Sequence, residues 1–318
     1  MCGIFVVINK GSQELNISKC KNALDAMYRR GPDWSFYKTP KKNIFIGQVV
    51  LSMTGETKKN ISHHYSTSKN FFALFNGEIY NYKYLNSVHL NKNFSKDTSD
   101  TKTLVTLFDY KDKNKINSLL DGMYAYVIYD KKNNQLIISR DPQGEKSLYI
   151  YENEKKIIIS SEINPILEFT DDAKINPDIL KTYFYTRHFV QFEKTIFNKI
   201  RIIEPGKMQT LNLKNFNFKT QQTNSFFDYI NEKEYIKNLA RKDEDLVDEL
   251  DSLFKKNISE MIPHNRLFAS VVSGGIDSSL ISNYISKLSK PRDLISLNHI
   301  GKDEHAGKIK KFEKYLNK

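Results

Sequence analysis

The chain has 318 residues, 39% hydrophobic and 27% charged, with 49 Lys and Arg against 37 Asp and Glu for a formal net charge of +12. At about 150 residues per domain this length gives two domains, and the composition excludes a disordered tail, a collagen-like repeat and a disulfide-stapled mini-domain. No run approaches the roughly 18 apolar residues of a membrane helix, and the lysines are scattered among asparagines rather than gathered in a basic stripe, so neither a membrane nor a nucleic acid is indicated. Two cysteines, Cys2 and Cys20, are too few for a disulfide framework and fit a reducing, cytoplasmic compartment.

In chain order, the apolar run Ile4–Ile8 predicts a buried strand, too short and without the basic lead of a signal peptide. Ser18–Tyr28 predicts a helix, with Cys20 as a small buried hydrophobe. Asn43–Val50, Phe71–Phe75, Met123–Tyr129, Gln135–Ser139, Ser147–Tyr151 and Lys156–Ser160 read as short strands, several apolar on both faces as in sheets stacked between other layers. Asp130–Asn134 is the turn between two of them. Asp100–Tyr110 and Pro177–Tyr185 read as helices, and the mixture predicts an α+β domain of packed antiparallel sheets over 2–213. The polar stretch 214–225 has no periodicity and reads as a linker. Beyond it come an amphipathic helix from Asp243 to Met261, a strand Leu267–Val272, a helix Asp277–Leu288 and a strand Leu294–Asn298. Strand–helix–strand of this length is a βαβ unit and opens a parallel-sheet domain over 226–318.

Chemistry concentrates in two places. If Met1 is removed, Cys2 becomes the N-terminal residue, and its own α-amino group, titrating at about 7.7–8.0, can take the thiol proton. Asn76-Gly77 follows a buried strand, where a side-chain amide and a glycine N–H can together receive a developing negative charge. Asn-Gly is also the commonest hairpin dipeptide, and Ser99 or Asp100 reads equally as a helix cap. The second place is Ser273-Gly274-Gly275-Ile276-Asp277-Ser278-Ser279, after one strand and opening a helix. Glycine N–H groups, hydroxyls and a helix N-terminus there make an anion site that is neither a Walker A loop nor a dinucleotide fingerprint. The seven histidines, His63-His64 in a polar loop among them, show no metal-ligand spacing.

Cys2–Phe5, Arg30–Trp34, Asn76–Asn81, Ser99-Asp100, Gly122–Tyr126, Arg140-Asp141 with Gly144, Lys146 and Leu148-Tyr149, and Ser161–Ile163 occur in order. On these segments the chain resembles the class II glutamine amidotransferases, specifically the glutamine-hydrolysing asparagine synthetases. Thr195–Phe197, Ile200 and Pro205-Gly206 look like that family's passage between its two domains, so the resemblance runs from Cys2 to about Lys310. It implies an N-terminal nucleophile hydrolase-like fold in which Cys2 attacks the glutamine amide, with Asn76 and Gly77 holding the oxyanion. Glu78 and Asp100 would bind the α-amino end, Leu51, Ser52, Met53 and Thr54 would line the pocket, and Arg30 and Asp33 would hold the loop over it. One position departs. Val50 stands where the family carries the arginine that grips the glutamine carboxylate.

The second motif is similar to the pyrophosphate loop of ATP-pyrophosphatases. That likeness implies ATP and Mg2+, with Val271, Ser273, Gly274, Gly275 and Ser278 around the nucleotide, Asp277 on the metal, and His299 or Ile300 at adenine. The family continues well past Lys318, so the parallel-sheet domain is expected to be incomplete here. The implied partners are small molecules (glutamine, aspartate and ATP), with homodimerisation left open. Two alternatives accompany this reading. One is an amidotransferase acting on another carboxylate, such as a sugar acid or small metabolite. The other is a non-catalytic paralogue that senses an amino acid.

Overall fold

The computed structural model describes residues 1–53, 60–90, 99–189, 193–222, 225–263, 268–289 and 293–296. The chain divides into two compact units, Met1–Ile230 and Asn231–Lys318.

The first unit contains β1 (Gly3–Asn9), α1 (Ile17–Asp25), β2 (Trp34–Lys41), β3 (Ile44–Val50) and β4 (Phe71–Ile79), followed by α2 (Tyr82–His89), α3 (Asp100–Tyr110) and α4 (Lys113–Ile116). It continues through β5 (Gly122–Asp130), β6 (Gln135–Arg140), β7 (Tyr149–Glu152), β8 (Lys156–Ser160), α5 (Asn164–Leu167) and α6 (Pro177–Thr186) to β9 (Ile200–Ile202), β10 (Lys207–Asn212) and β11 (Phe218–Gln222). Two antiparallel sheets result, ordered β2-β3-β1-β8-β7-β9 and β11-β10-β6-β5-β4.

Side-chain alternation explains the layering. Ile4, Val6 and Ile8 of β1 meet Leu74, Val127 and Ile138 of the other sheet in one core between the sheets. The opposite faces of the same strands carry Phe5, Val7 and Phe45, which α1 and α5 cover, and Phe75, Tyr124 and Tyr126, which α3 and α4 cover. Helices therefore lie outside two stacked sheets, as double-sided apolar strands require.

The segment 214–225, expected as a linker, is part of this unit. A turn held by the Asn212 carboxamide, which accepts from the N–H groups of Lys214 and Asn215, leads into β11, paired along β10. Phe216 and Phe218 pack against the inter-sheet core. The division instead falls after Ile230.

The second unit contains α7 (Glu232–Leu239), α8 (Asp243–Met261), β12 (Ala269–Val272), α9 (Ile276–Leu288) and β13 (Asp293–Ser296). β12 and β13 pair in parallel, Ala269 opposite Asp293, with α9 as the crossover. The Tyr284 hydroxyl donates to Asp251 at 2.6 Å, and its ring stacks on Phe254, fixing α9 against α8. Among the described residues, no helix is long and apolar enough to cross a membrane.

Candidate active site

The alternation that builds the inter-sheet core also aims the candidate nucleophile. Cys2 is two residues before Ile4 and packs against that core from its rim. Its Sγ lies 3.4 Å from the Leu51 N–H, which donates to it, and 3.6 Å from the Leu51 carbonyl, which accepts from it. The Leu51 N–H makes the thiolate cheaper, but burial dominates and pushes the Cys2 thiol up, with the Asp100 charge adding to the rise.

Several motifs read from the sequence converge on this terminus. Arg30 Nε donates to the Cys2 carbonyl at 2.9 Å, and the same guanidinium pairs with Glu162 at 3.2 Å. Ser161 Oγ accepts from the Ile4 N–H, holding the start of β1. Asp33 Oδ2 accepts from the Ser52 N–H at 2.8 Å and so holds the loop after β3 over the site. The Asp141 carboxylate accepts from the N–H groups of Tyr124, Gln143, Glu145 and Lys146, shaping a turn that brings the Lys146 ammonium to 3.6 Å from Met1 Sδ. Burial lowers the pKa of the Met1 amine, Cys2 opposes this, and Arg30 and Lys146 reinforce it.

β4 supplies the facing wall. It is the edge strand of its sheet, and Phe71, Ala73, Phe75 and Ile79 direct backbone groups away from β5. Each is taken: Phe71 by Ser66, the Ala73 carbonyl by His64 Nδ1–H at 2.9 Å, and the Ile79 N–H by Asp100 Oδ2 at 3.2 Å. Phe75 is paired with the Gln48 carboxamide through both its N–H and its carbonyl. Gly77 belongs to the same series, and the Tyr124 N–H and carbonyl opposite it are bonded to Asp141 instead, so the Gly77 N–H is presented on the open edge. Its φ of 155° suits glycine, and a Cβ there would meet the Met123 carbonyl oxygen at 2.0 Å. Next to it, Asn76 is fully buried, and both polar atoms of its side chain lack a hydrogen-bond partner among the described residues. An orphaned buried amide is costly unless something else binds it.

A cavity opens between these walls, lined by Cys2, Leu51, Ser52, Met53, Gly77 and Asp100, together with Gln48 and Val50. Asp100 opens α3 behind its Ser99 cap, whose side chain accepts from the Lys102 N–H. Glu78 does not line the cavity. It sits beside Asp100, and burial followed by that neighbouring charge pushes its carboxyl up to about 6, with Lys146 opposing. Thr54 lies outside the described residues.

Sequence reasoning missed part of the lining. Trp34, Asn60, His63, His64, Ser99 and Thr101 also face the cavity. His64 is not a loop histidine in solvent: it is buried among Trp34, Phe36 and Phe72, and desolvation lowers its pKa to about 4. The rings that bury it come from β2 and β4, contacts that no local pattern around His63-His64 records.

In the second unit, Ser273, Gly274 and Gly275 join β12 to α9, with Gly274 at φ 81° and Gly275 as a helix cap that makes no side-chain bond. Ser278 Oγ accepts from the Ser273 N–H at 3.2 Å and lies 3.0 Å from Ser273 Oγ, tightening the turn. A Cβ on Gly275 would approach only Ser273 Oγ, at 3.5 Å, so the cradle is open, and its uncapped N–H groups and hydroxyls fit a phosphate. No group of three or more His, Cys, Asp or Glu that could cage an ion forms among the described residues. Asp277 lies in the first turn of α9, one carboxylate beside the open turn. Val271 is half exposed on β12. His299 and Ile300 lie outside the described residues.

The glutamine amidotransferase domain family matches residues 1–223, and the chain belongs to it. A probable glutamine-hydrolysing asparagine synthetase of Acanthamoeba polyphaga mimivirus is 28% identical over 306 residues, 93% of this chain and 51% of that protein. The glutamine-hydrolysing asparagine synthetase 2 of Bacillus subtilis is 26% identical over 304 residues, 90% of this chain and 39% of its own length. The chain thus spans about half the length of the first of these relatives and less of the second. Among solved structures, the B. subtilis glutamine phosphoribosylpyrophosphate amidotransferase complexed with ADP and GMP aligns over 95% of this chain and 68% of its own, with 15% identity and a TM-score of 0.47.

Proposed function

We propose that the first unit hydrolyses glutamine and that Cys2, freed by removal of Met1, is its nucleophile. The observation that carries this reading is one cavity lined both by a thiol held at the Leu51 backbone and by Gly77 with its outward N–H, the buried, unpartnered Asn76 amide lying next to Gly77 in β4 just behind the lining. The α-amino group takes the thiol proton, and sulfur attacks the side-chain carbonyl carbon of glutamine. The negative charge that forms on oxygen is received by Asn76 and Gly77. The C–N bond then breaks, ammonia leaves with the proton carried by the amine, and water hydrolyses the γ-glutamyl thioester to glutamate. Asp100, with Glu78 behind it, binds the substrate's ammonium group.

Beyond hydrolysis, the reading is a glutamine-dependent asparagine synthetase acting in the cytoplasm. Ser273, Gly274, Gly275 and Ser278 would hold the phosphates of ATP, Asp277 would hold Mg2+, and Val271 would lie along the nucleotide. ATP bound there would supply adenylation of a carboxylate, that of aspartate, for ammonia to capture. The relatives' names and the fit of this turn to a phosphate support it.

A glutamine-analogue electrophile tests the nucleophile. It should label one site, and Cys2→Ala should abolish both labelling and glutamate release. Cys20 should stay unlabelled, being fully buried with its thiol pushed up to about 11. Labelling that persists in Cys2→Ala, or that moves to Cys20, overturns the assignment.

A further inference from the structure

Gln48 is a polar residue in an apolar place. It lies on the inward face of β3 between Ile46 and Val50, opposite Ile4 in the ladder, and it is only 2% exposed. The pattern of β3 calls for an aliphatic side chain there. Instead the carboxamide crosses from one sheet to the other. Nε2 donates to the Phe75 carbonyl at 2.8 Å, and Oε1 accepts from the Phe75 N–H at 2.8 Å. Two bonds to the N–H and C=O of a single residue reproduce what a neighbouring strand would give, so Gln48 acts as a one-residue strand on the free edge of β4.

Its position joins the two halves of the site. Three residues along from Gln48, the Leu51 backbone holds the Cys2 thiol, and one residue along from Phe75 begins Asn76-Gly77. The sheets are otherwise joined here by side-chain packing, which tolerates sliding far better than two hydrogen bonds do. Gln48 also lines the cavity, and its carboxamide is close enough to favour the Cys2 thiolate. Serine and histidine contacts hold β4 farther back, at Phe71 and Ala73.

Resting on the hydrolase reading above, we propose that Gln48 is a positioning residue: its carboxamide sets the reach between the Cys2 thiol and the Asn76-Gly77 oxyanion donors. Such a role acts chiefly on the transition state, where the oxyanion exists, beyond the support the carboxamide gives the Cys2 thiolate.

Gln48→Leu and Gln48→Glu separate this from a structural role. Both are compared with the full-length wild type in glutamate release, in alkylation of Cys2 by iodoacetamide, which forms no oxyanion, and in thermal midpoint. In Gln48→Leu, kcat should fall about 100-fold, as expected for an ångström-scale misplacement, with KM little changed and the alkylation rate falling far less than kcat, only by the lost support for the thiolate. A glutamate at 48 regains the donor–acceptor pair of the amide when protonated, so the ratio of variant to wild-type kcat should rise as pH falls. Should Gln48→Leu fail to fold, that ratio carries the test alone. A folded Gln48→Leu with wild-type kcat, a kcat loss matched by equal loss of alkylation, or a pH-independent ratio each overturns the role of Gln48 while leaving the hydrolase reading in place. A wild-type chain that releases no glutamate refutes the hydrolase reading itself, and this role with it.

Discussion

Val50 occupies the position where the sequence resemblance calls for a carboxylate-binding arginine. It is 8% exposed, and its carbonyl accepts from the Asp33 N–H while its side chain lines the cavity. Aliphatic carbon there lowers the cost of the site to the fold but offers a substrate carboxylate no hydrogen bond. A charged hydrogen bond contributes about 1.5–3 kcal/mol, so an arginine at this position should tighten glutamine binding by roughly 10- to 150-fold. Val50→Arg should therefore lower KM for glutamine in a hydrolysis assay. An unchanged or higher KM would show that another group holds the carboxylate.

At the scale of elements, the 3-10 turn Ile61–His64 makes the fold's stability depend on pH. The His64 ring is neutral and donates through Nδ1–H to the Ala73 carbonyl, with a folded pKa of about 4 against an ordinary 6.5. Between these values the unfolded chain binds the proton and the folded one does not, so stability falls as pH drops from 6.5, and the part that His64 contributes is gone by about pH 4. The shift corresponds to about 3 kcal/mol. Urea midpoints measured across that window should fall in the wild type and fall less in His64→Gln, each relative to its own value at pH 7. Equal slopes in the two proteins would remove His64 as the cause.

Legibility in the sequence followed how local the determining forces are. α3 runs from Asp100 to Tyr110, as its Ser99 cap indicates, and α8 from Asp243 to Met261, as its apolar spacing indicates. β2 and β11 were not legible. Both are edge strands, and β2 alternates toward solvent with Ser35, Tyr37, Thr39 and Lys41. Their pairing is decided by β3 and β10 rather than by their own residues. Cys2, Asn76, Gly77 and Asp100 were legible as chemistry because each needs a particular residue type. Gln48 was not, since a glutamine within an apolar strand carries no signal until Phe75 is found across the sheets.

For the whole molecule, the boundary after Ile230 carries a consequence. Every residue given a role in glutamine hydrolysis lies before it, as do both sheets of the first unit. Residues 1–230 expressed alone should then unfold in a single cooperative transition, as small domains do, and retain the kcat and KM of the full chain for glutamine hydrolysis. Ending the same unit at residue 213 should destabilise it, because β11 and the packing of Phe216 and Phe218 go with the removed segment. A 1–213 fragment as stable as 1–230 would contradict the boundary.

The side chains along β4 bear on a different hazard. An uncovered strand edge is a template on which a foreign chain can add itself, the first step toward aggregation. Ser66, His64, Gln48 and Asp100 each stop one outward-facing residue of β4. Gly77 is flanked by two such stoppers, at Phe75 and Ile79, so an incoming strand finds a gap one residue wide and no register to extend. The protein thereby keeps a naked amide available for small solutes while denying it to polymers.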